Sequence, residues 1–222
     1  MSKLWIFGDS QSCAWDSIIH GTHKEYVDKY NPQIHFSDIL LEKLNIDEVT
    51  NLAVEGSCNY TILESVGNCI DDMNPNDYVV IGWSEITRWR CTSLNKNNWT
   101  IVAPNFTFPD TENMEEVYRY ESVERNSDIV IKELESWIRI LNKSLPPTLN
   151  WSGVPLSFDL QSSAFMDEEK NKHRNKRYLK KPNFLIKRID QETDIKDKHI
   201  SEKGHKDVGT WMVNMLKEKS SI

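Results

Sequence analysis

The 222-residue chain lacks the features that would place it in several common protein classes. It has only four cysteines, with no C-x-x-C pair and no Cys/His spacing typical of a metal site, which predicts free thiols in a reducing compartment. No apolar run approaches the length needed to span a membrane. The formal net charge of −7 argues against a general nucleic-acid binder, because such proteins are normally basic. Gly-rich phosphate loops and the H-E-x-x-H and G-x-S-x-G motifs are also absent.

The composition is that of a folded, water-soluble chain. It has 38% hydrophobic and 27% charged residues, with eight tryptophans. A motif begins as early as Gly8, which leaves no room for a signal peptide before it. We therefore expect a cytoplasmic location and no membrane partner.

Short apolar runs alternate with helical patterns along most of the chain. The runs 4–7, 49–54, 78–81, 154–158 and 184–186 are predicted strands, and amphipathic stretches lie between and after them. Nearly all-apolar strands alternating with helices are typical of a parallel sheet covered on both faces. The sequence therefore predicts a three-layer α/β/α sandwich with a mostly parallel sheet of about five strands.

We expect residues 1–222 to form one domain. Two segments break the alternating pattern: an irregular excursion at about 86–125, and a basic loop at about 168–182. The charge clusters in both segments are more typical of solvated surfaces than of binding sites.

Three small residues follow the ends of the first three predicted strands: Ser10, Gly56 and Ser84. Sites in parallel α/β folds lie at the carboxyl ends of the strands, so these residues are expected to converge on one edge of the sheet. Ser10 would sit in a tight turn with an exposed hydroxyl. A serine hydroxyl is a weak nucleophile until a base takes its proton, so this interpretation requires a histidine elsewhere.

The candidate base is His199, in a predicted loop just before the last helix. Asp197 is close enough in sequence to orient the imidazole ring and to stabilise its protonated form. His205, further along, is expected to be a packing residue. Ser10, Asp197 and His199 thus form a candidate catalytic set.

These blocks, in this order, resemble the SGNH (GDSL-type) serine hydrolases. The resemblance runs from residue 4 to about 216 and is carried by Phe7-Gly8-Asp9-Ser10, Asn51-Leu52-Ala53-x-x-Gly56, Gly82-x-Ser84 and Asp197-x-His199. The Gly-Trp-Ser form of the third block is similar to SGNH-like proteins of tailed phages, which would imply association with a virion.

The resemblance implies a role for each matching position. Ser10 would be the nucleophile and His199 the base. The backbone N–H groups of Ser10 and Gly56 would form the oxyanion hole together with a side chain of the third block. No cofactor and no metal would be required.

The sequence departs from the family pattern at three positions. Ser84 stands where the family has an Asn donor, and Asn59 is an alternative source of that amide, although it is equally typical of a helix N-cap. Lys196 occupies the usual position of the acid, so Asp197 or Asp194 must orient His199, and we expect Asp197 to do so. Ile200 replaces a common proline.

The predicted function is therefore hydrolysis of an ester, with acetyl or other short acyl groups on a carbohydrate or small molecule as the expected substrate. Trp83, Trp89 and Trp99 could line a sugar or acyl site. The alternative is a catalytically weak or inactive SGNH-fold module that binds glycans. A third hypothesis, recognition of phosphate or a nucleotide by residues 170–181, rests on charge alone.

Overall fold

A parallel four-stranded sheet forms the centre of the molecule. The computed structural model describes residues 2–84, 89–92, 99–102, 127–152 and 186–220. The sheet has the strand order β2-β1-β3-β6, formed by β1 (Lys3–Gly8), β2 (Glu48–Asn51), β3 (Tyr78–Gly82) and β6 (Thr148–Trp151). All three strand pairings are parallel, so every carboxyl end lies at the same edge.

Helices cover both faces of this sheet. On one face, α3 (Asn59–Cys69) and α4 (Ser127–Ser144) pack against Trp5, Phe7 and Ile81. On the other face, α2 (Phe36–Leu44) and α6 (Glu202–Ser220) pack against Leu4, Ile6 and Val80. Alternate strand residues thus enter opposite cores, which explains why β1 and β3 are largely apolar. The predicted α/β/α architecture is confirmed.

The remaining elements lie outside these layers. The helix α1 (Gly21–Tyr30) and the short helix α5 (Ile189–Glu192) stand near the carboxyl edge of the sheet. A separate antiparallel pair consists of β4 (Trp89–Thr92) and β5 (Trp99–Val102), both within the predicted excursion. The basic loop at about 168–182 lies outside the described residues.

The sheet has one strand fewer than the predicted five, counting the described residues. The fourth strand is β6, which the sequence analysis missed because its Thr148-Leu149-Asn150-Trp151 pattern directly follows two prolines and contains two polar residues. Both polar residues are buried and hydrogen bonded: Thr148 donates to Pro146, and Asn150 donates to Asn142. The predicted strand 154–158 and most of 184–186 lie outside the described residues.

His35 caps α2: its Nδ1 accepts from the Ser37 N–H at 3.2 Å, while Asp38 accepts from the His35 N–H at 2.8 Å. The chain between β1 and α1 includes a 3₁₀ turn, Trp15–Ser17.

Cys13, Cys58 and Cys69 are free thiols, and burial raises the pKa of Cys13 to about 12, so this thiol is unreactive. Among the helices of the described segments, none combines the length and apolar character needed to cross a bilayer.

Candidate active site

A tight turn at the end of β1 presents Ser10. The Ser12 N–H donates to the Asp9 carbonyl at 2.9 Å, and the Gln11 N–H donates to the Asp9 carboxylate at 3.0 Å. The Ser12 side chain fits over Gly82 of the neighbouring strand, where a Cβ would collide with Ser12 Oγ. The turn therefore requires both Gly82 on the neighbouring strand and Asp9 within the turn itself.

Backbone hydrogen bonds also fix the loop that carries Asp197 and His199. The His199 carbonyl accepts from the Ile189 N–H at 2.9 Å, and the Asp197 carbonyl accepts from the Asp190 N–H at 2.8 Å. One further contact joins this loop to the serine turn, because the Ile200 N–H donates to Gln11 Oε1 at 3.2 Å. The residues that follow Ser10 and His199 are thus hydrogen bonded to each other.

These two loops bring together side chains that are 189 positions apart. His199 Nε2 lies 2.7 Å from Ser10 Oγ, and His199 Nδ1 lies 2.5 Å from Asp197 Oδ1. Because an ionised carboxylate only accepts hydrogen bonds, Nδ1 carries the proton and Nε2 is left to accept from the serine hydroxyl. The arrangement can remove a proton from Ser10.

Asp197 is kept ionised inside the protein. Its burial would raise the pKa of the carboxyl, but hydrogen bonds from the His199 ring, the His199 backbone N–H and the Thr22 hydroxyl outweigh that effect and hold the pKa well below its usual range. The Thr22 hydroxyl donates to Asp197 Oδ2 at 2.7 Å, so both carboxylate oxygens are engaged.

Asp194, the other candidate acid, faces away from this site. Its exposed carboxylate accepts hydrogen bonds from Lys29 and Tyr30, and those bonds lower its pKa to about 2. Within the described residues, the carboxylate that contacts His199 is that of Asp197.

The second and third sequence blocks also reach the carboxyl edge of the sheet. The pairing of β2 with β1 continues past Asn51, since the Val54 N–H donates to the Gly8 carbonyl at 3.0 Å. Gly56 follows at a φ of 75°, a left-handed conformation that favours glycine. Ser84 lies two residues beyond β3 and is fully buried, and its Oγ finds no partner among the described residues.

Asn59 contacts the Ser84 backbone on both sides. Its Oδ1 accepts from the Ser84 N–H at 2.8 Å, and its Nδ2 donates to the Ser84 carbonyl at 3.1 Å. It is the first residue of α3, whereas the N-cap is Cys58. Asn59 therefore fixes the position of Ser84 and does not cap the helix.

Trp83 does not belong to an aromatic wall. It is 1% exposed, lies in the core beneath α3 and α4, and donates from Nε1 to Asn150 at 2.9 Å. The side chains of Trp89 and Trp99 lie outside the described part of the structure. His205 is buried among Trp15, His35 and Phe36, as its predicted packing role requires.

Comparisons with known proteins identify the architecture. No family model matches the sequence, and no curated protein does. A solved structure assigned to the lipolytic G-D-S-L family, from Desulfitobacterium hafniense DCB-2, matches with a TM-score of 0.52 and 10% identity, covering 97% of this chain and 99% of that one. The chain has the SGNH (GDSL-type) hydrolase fold.

Two other solved structures are similar at lower TM-scores. A psychrotrophic esterase from Pseudoalteromonas sp. has a TM-score of 0.49 and 10% identity over 100% of both chains. An acetylxylan esterase from Geobacillus stearothermophilus has a TM-score of 0.47 and 11% identity, covering 97% of this chain and 94% of that one. The fold assignment rests on the G-D-S-L structure.

The sequence analysis did not find three residues that support this site: Gln11, Thr22 and His23. Gln11 joins the two loops, Thr22 binds Asp197, and His23 stacks on His199 with ring centroids 4.1 Å apart. Thr22 is 175 positions from its partner, and no motif marks it. Among the described residues, no group of three or more His, Cys, Asp or Glu side chains could hold a metal ion.

Proposed function

We propose that this protein is a serine ester hydrolase that works through an acyl-enzyme. Ser10 is the nucleophile, His199 is the general base and Asp197 orients the histidine. The observation that carries the proposal is the continuous pair of short contacts from Asp197 through His199 to Ser10 Oγ. The His199–Ser10 contact is within the range expected of a nucleophile and its base, and Asp197 is hydrogen bonded to the other ring nitrogen, as the group that orients the base should be.

The reaction proceeds in two halves. As Ser10 Oγ attacks the ester carbonyl, its proton passes to His199 Nε2. The tetrahedral intermediate then collapses, the C–O bond to the alcohol breaks, and His199 returns the proton to the leaving oxygen. In the second half, water gives a proton to His199, attacks the acyl-serine and releases the acid. Ser10 regains its proton, and the enzyme ends unchanged.

Asp197 supports the charged form of the base. During each half-reaction His199 becomes an imidazolium next to a carboxylate that burial has not neutralised. The attraction between the two charges stabilises the state in which the proton has moved. Thr22 keeps the other carboxylate oxygen hydrogen bonded, so the ionised form of Asp197 is stabilised at both oxygens.

The oxyanion is stabilised by the backbone N–H groups of Ser10 and Gly56, with the Ser84 hydroxyl as a third donor. Two features support a role for Ser84: its Oγ is buried without a partner in the described structure, and Asn59 clamps its backbone. Because Asn59 holds the backbone of Ser84, only rotation of the hydroxyl is required for it to donate when charge develops.

The preferred substrate carries an acetyl or other short acyl group, on a carbohydrate or on a small alcohol. Support for a carbohydrate is weaker than the sequence indicated, because Trp83 is a core residue and only Trp89 and Trp99 remain as candidate sugar contacts. The alternative, a catalytically weak or inactive glycan-binding module, rests only on Ser84 standing where the resemblance implies an Asn donor.

Hydrolysis of aryl esters of increasing acyl length separates these functions. We expect turnover of the acetyl ester by the natural protein and none by the Ser10→Ala variant, with its fold checked by circular dichroism. With the acetyl ester, mass spectrometry of the quenched reaction should find an acetyl group on Ser10. Binding of acetylated oligosaccharide by both proteins without turnover by either would instead favour the binding module.

A further inference from the structure

The first turn of α1 lies directly behind the proposed catalytic residues. Two consecutive side chains of this turn contact different members of the set: Thr22 donates to Asp197, and His23 stacks on His199. The helix starts at Gly21, whose φ of 63° places the backbone in the left-handed region. One turn of helix thus contacts both the acid and the base.

We propose that His23 and Thr22 are positioning residues for the catalytic pair, an inference that rests on the proposed function. Hydrogen bonds at Nδ1 and Nε2 fix the two ends of the His199 ring but leave it able to tilt about the line that joins them. The His23 ring lies flat on it, with an interplanar angle of 8°, and removes that freedom. Thr22 limits the movement of Asp197 through its hydrogen bond to Oδ2.

His23 is itself fixed from behind. It is 3% exposed, and the Trp15 ring meets it edge-on at a centroid distance of 6.0 Å. Neither ring nitrogen of His23 has a hydrogen-bond partner among the described residues. The ring is therefore held by packing, as a rigid flat surface against which His199 can be aligned.

His23 must remain uncharged to play this role. Burial, together with the smaller effect of the neighbouring charge on His199, lowers its pKa to about 3, while Asp197 acts in the opposite direction. The other titratable groups that face it are Glu55, whose Oε1 is 4.0 Å from His23 Nδ1, and the buried His35 and His205. A neutral ring accepts the adjacent imidazolium of His199, whereas a charged ring would repel it.

The geometry excludes His23 as a second base. The ring nitrogens of His199, not those of His23, contact Ser10 and Asp197. Replacing His23 by another flat, uncharged ring should therefore preserve its contribution, and removing the ring should not. The variants His23→Phe and His23→Ala make this distinction.

The test measures four variants beside the natural protein: His23→Ala, His23→Phe, Thr22→Val and the control His20→Ala. His20 is exposed, lies next to the same turn, and its side chain makes no capping hydrogen bond. We expect kcat to fall about tenfold to a hundredfold in His23→Ala and in Thr22→Val, with KM within about twofold, because small displacements of catalytic groups have effects of this size. His23→Phe should recover most of the loss and keep the natural pH profile.

A second measurement does not depend on activity. The proton that His199 Nδ1 shares with Asp197 should give a sharp, strongly downfield proton NMR signal in the natural protein, in His20→Ala and in His23→Phe. The signal should broaden or vanish in His23→Ala and Thr22→Val, recorded at a temperature at which circular dichroism shows each variant to be folded. An equally sharp signal in His23→Ala would overturn the positioning role, whether or not the protein hydrolyses esters. If the natural protein gives the signal but no turnover, the proposed function fails and the positioning role stands.

The His23→Phe variant shows whether the flat ring of His23 or its nitrogens contribute to the reaction. If it is as inactive as His23→Ala while its NMR signal is natural, His23 contributes through its nitrogens and the inference is wrong. If both variants keep full activity, the stack has no role in the reaction.

Discussion

His199 differs from the three histidines packed behind it, although all four side chains lie within one region of the molecule. The side chain of His199 is 27% exposed and its two nitrogens contact Asp197 and Ser10. His23, His35 and His205 are almost completely buried, all three pack on Trp15, and His35 also packs on His205. Partners, not residue type, decide which histidine can act as a base.

The buried histidines are neutral for a common reason. Burial lowers the pKa of His23 and of His35 to about 3, and it lowers the pKa of His205 well below its ordinary value. In the described structure, none of the three has a hydrogen-bonded carboxylate such as Asp197 to stabilise a positive charge. They are aromatic packing residues, whereas His199 is equipped to gain and lose a proton.

The largest expected effect separates the two kinds of histidine. His199→Ala should lower kcat for a short-chain aryl ester by about 10⁴- to 10⁶-fold, the range for removing the base of a serine hydrolase. His205→Phe, which keeps an aromatic ring in the core, should change kcat by only a few-fold. Steady-state kinetics on both variants, with folding checked by circular dichroism, measures the two values of kcat. Comparable losses in the two would contradict the distinction.

The carboxylate that makes His199 different should matter nearly as much. Asp197→Ala is expected to lower kcat by roughly 10⁴-fold. The matched control is Asp194→Ala, which removes a surface ion pair with Lys29 and should leave kcat within about threefold. If Asp194→Ala proves the more damaging by tenfold or more, the assignment of Asp197 is wrong.

Ser84 tests the other half of the chemistry, the stabilisation of negative charge. Ser84→Ala should lower kcat on the order of a hundredfold, because it removes a donor to the oxyanion. If Ser84 lies at the oxyanion site with space beside it, Ser84→Asn should raise kcat, because it supplies the longer amide donor that the resemblance to SGNH hydrolases implies at this position. If both variants match the natural protein, Ser84 is not a donor, and Asn59→Ala becomes the next variant to measure.

The smallest effect concerns stability in acid. In the unfolded chain, histidines bind protons below about pH 6.5. In the folded protein, His23 and His35 stay neutral down to about pH 3, and burial holds the pKa of His205 well below its ordinary value. The unfolded state therefore binds more protons as the pH falls, and the folded state loses about 1.4 kcal/mol per pH unit for each such histidine. Their contribution is fully present above pH 6.5 and is lost below it.

His205→Phe should reduce the change in the free energy of unfolding with pH by the contribution of one histidine, about 1.4 kcal/mol per pH unit. Urea unfolding at pH 5.5 and 4.5 measures the difference, with exposed His20→Ala as the control that leaves the slope unchanged. An unaltered slope in His205→Phe would mean that the ring is protonated in the folded protein.

Much of the fold could be predicted from local sequence. The strands at 4–7 and 78–81 are apolar because each face of the sheet enters a core, so their character is visible without the structure. The strand Thr148–Trp151 was missed because its buried Asn150 is satisfied by Asn142 and Trp83. Nothing in the local pattern signals that these polar groups pair within the fold.

The candidate site divides in the same way. Ser10, Asp197 and His199 were selected because their types and order match a known chemistry. Thr22 and His23 have no such signature: a threonine and a histidine at the start of a helix are ordinary, and their contacts depend on how α1 meets a loop far along the chain. Likewise, only the structure reveals that Asn59 clamps the backbone of Ser84.

Labelling with a fluorophosphonate, followed by peptide mass spectrometry, tests the central claim most directly. The reagent reacts with a serine whose hydroxyl is activated by a base and ignores ordinary serines. With the natural protein, the adduct should appear on Ser10 and on no other residue, and it should disappear in His199→Ala, since His199 Nε2 is the group in contact with Ser10 Oγ. An unlabelled Ser10 peptide from correctly folded protein would contradict the account.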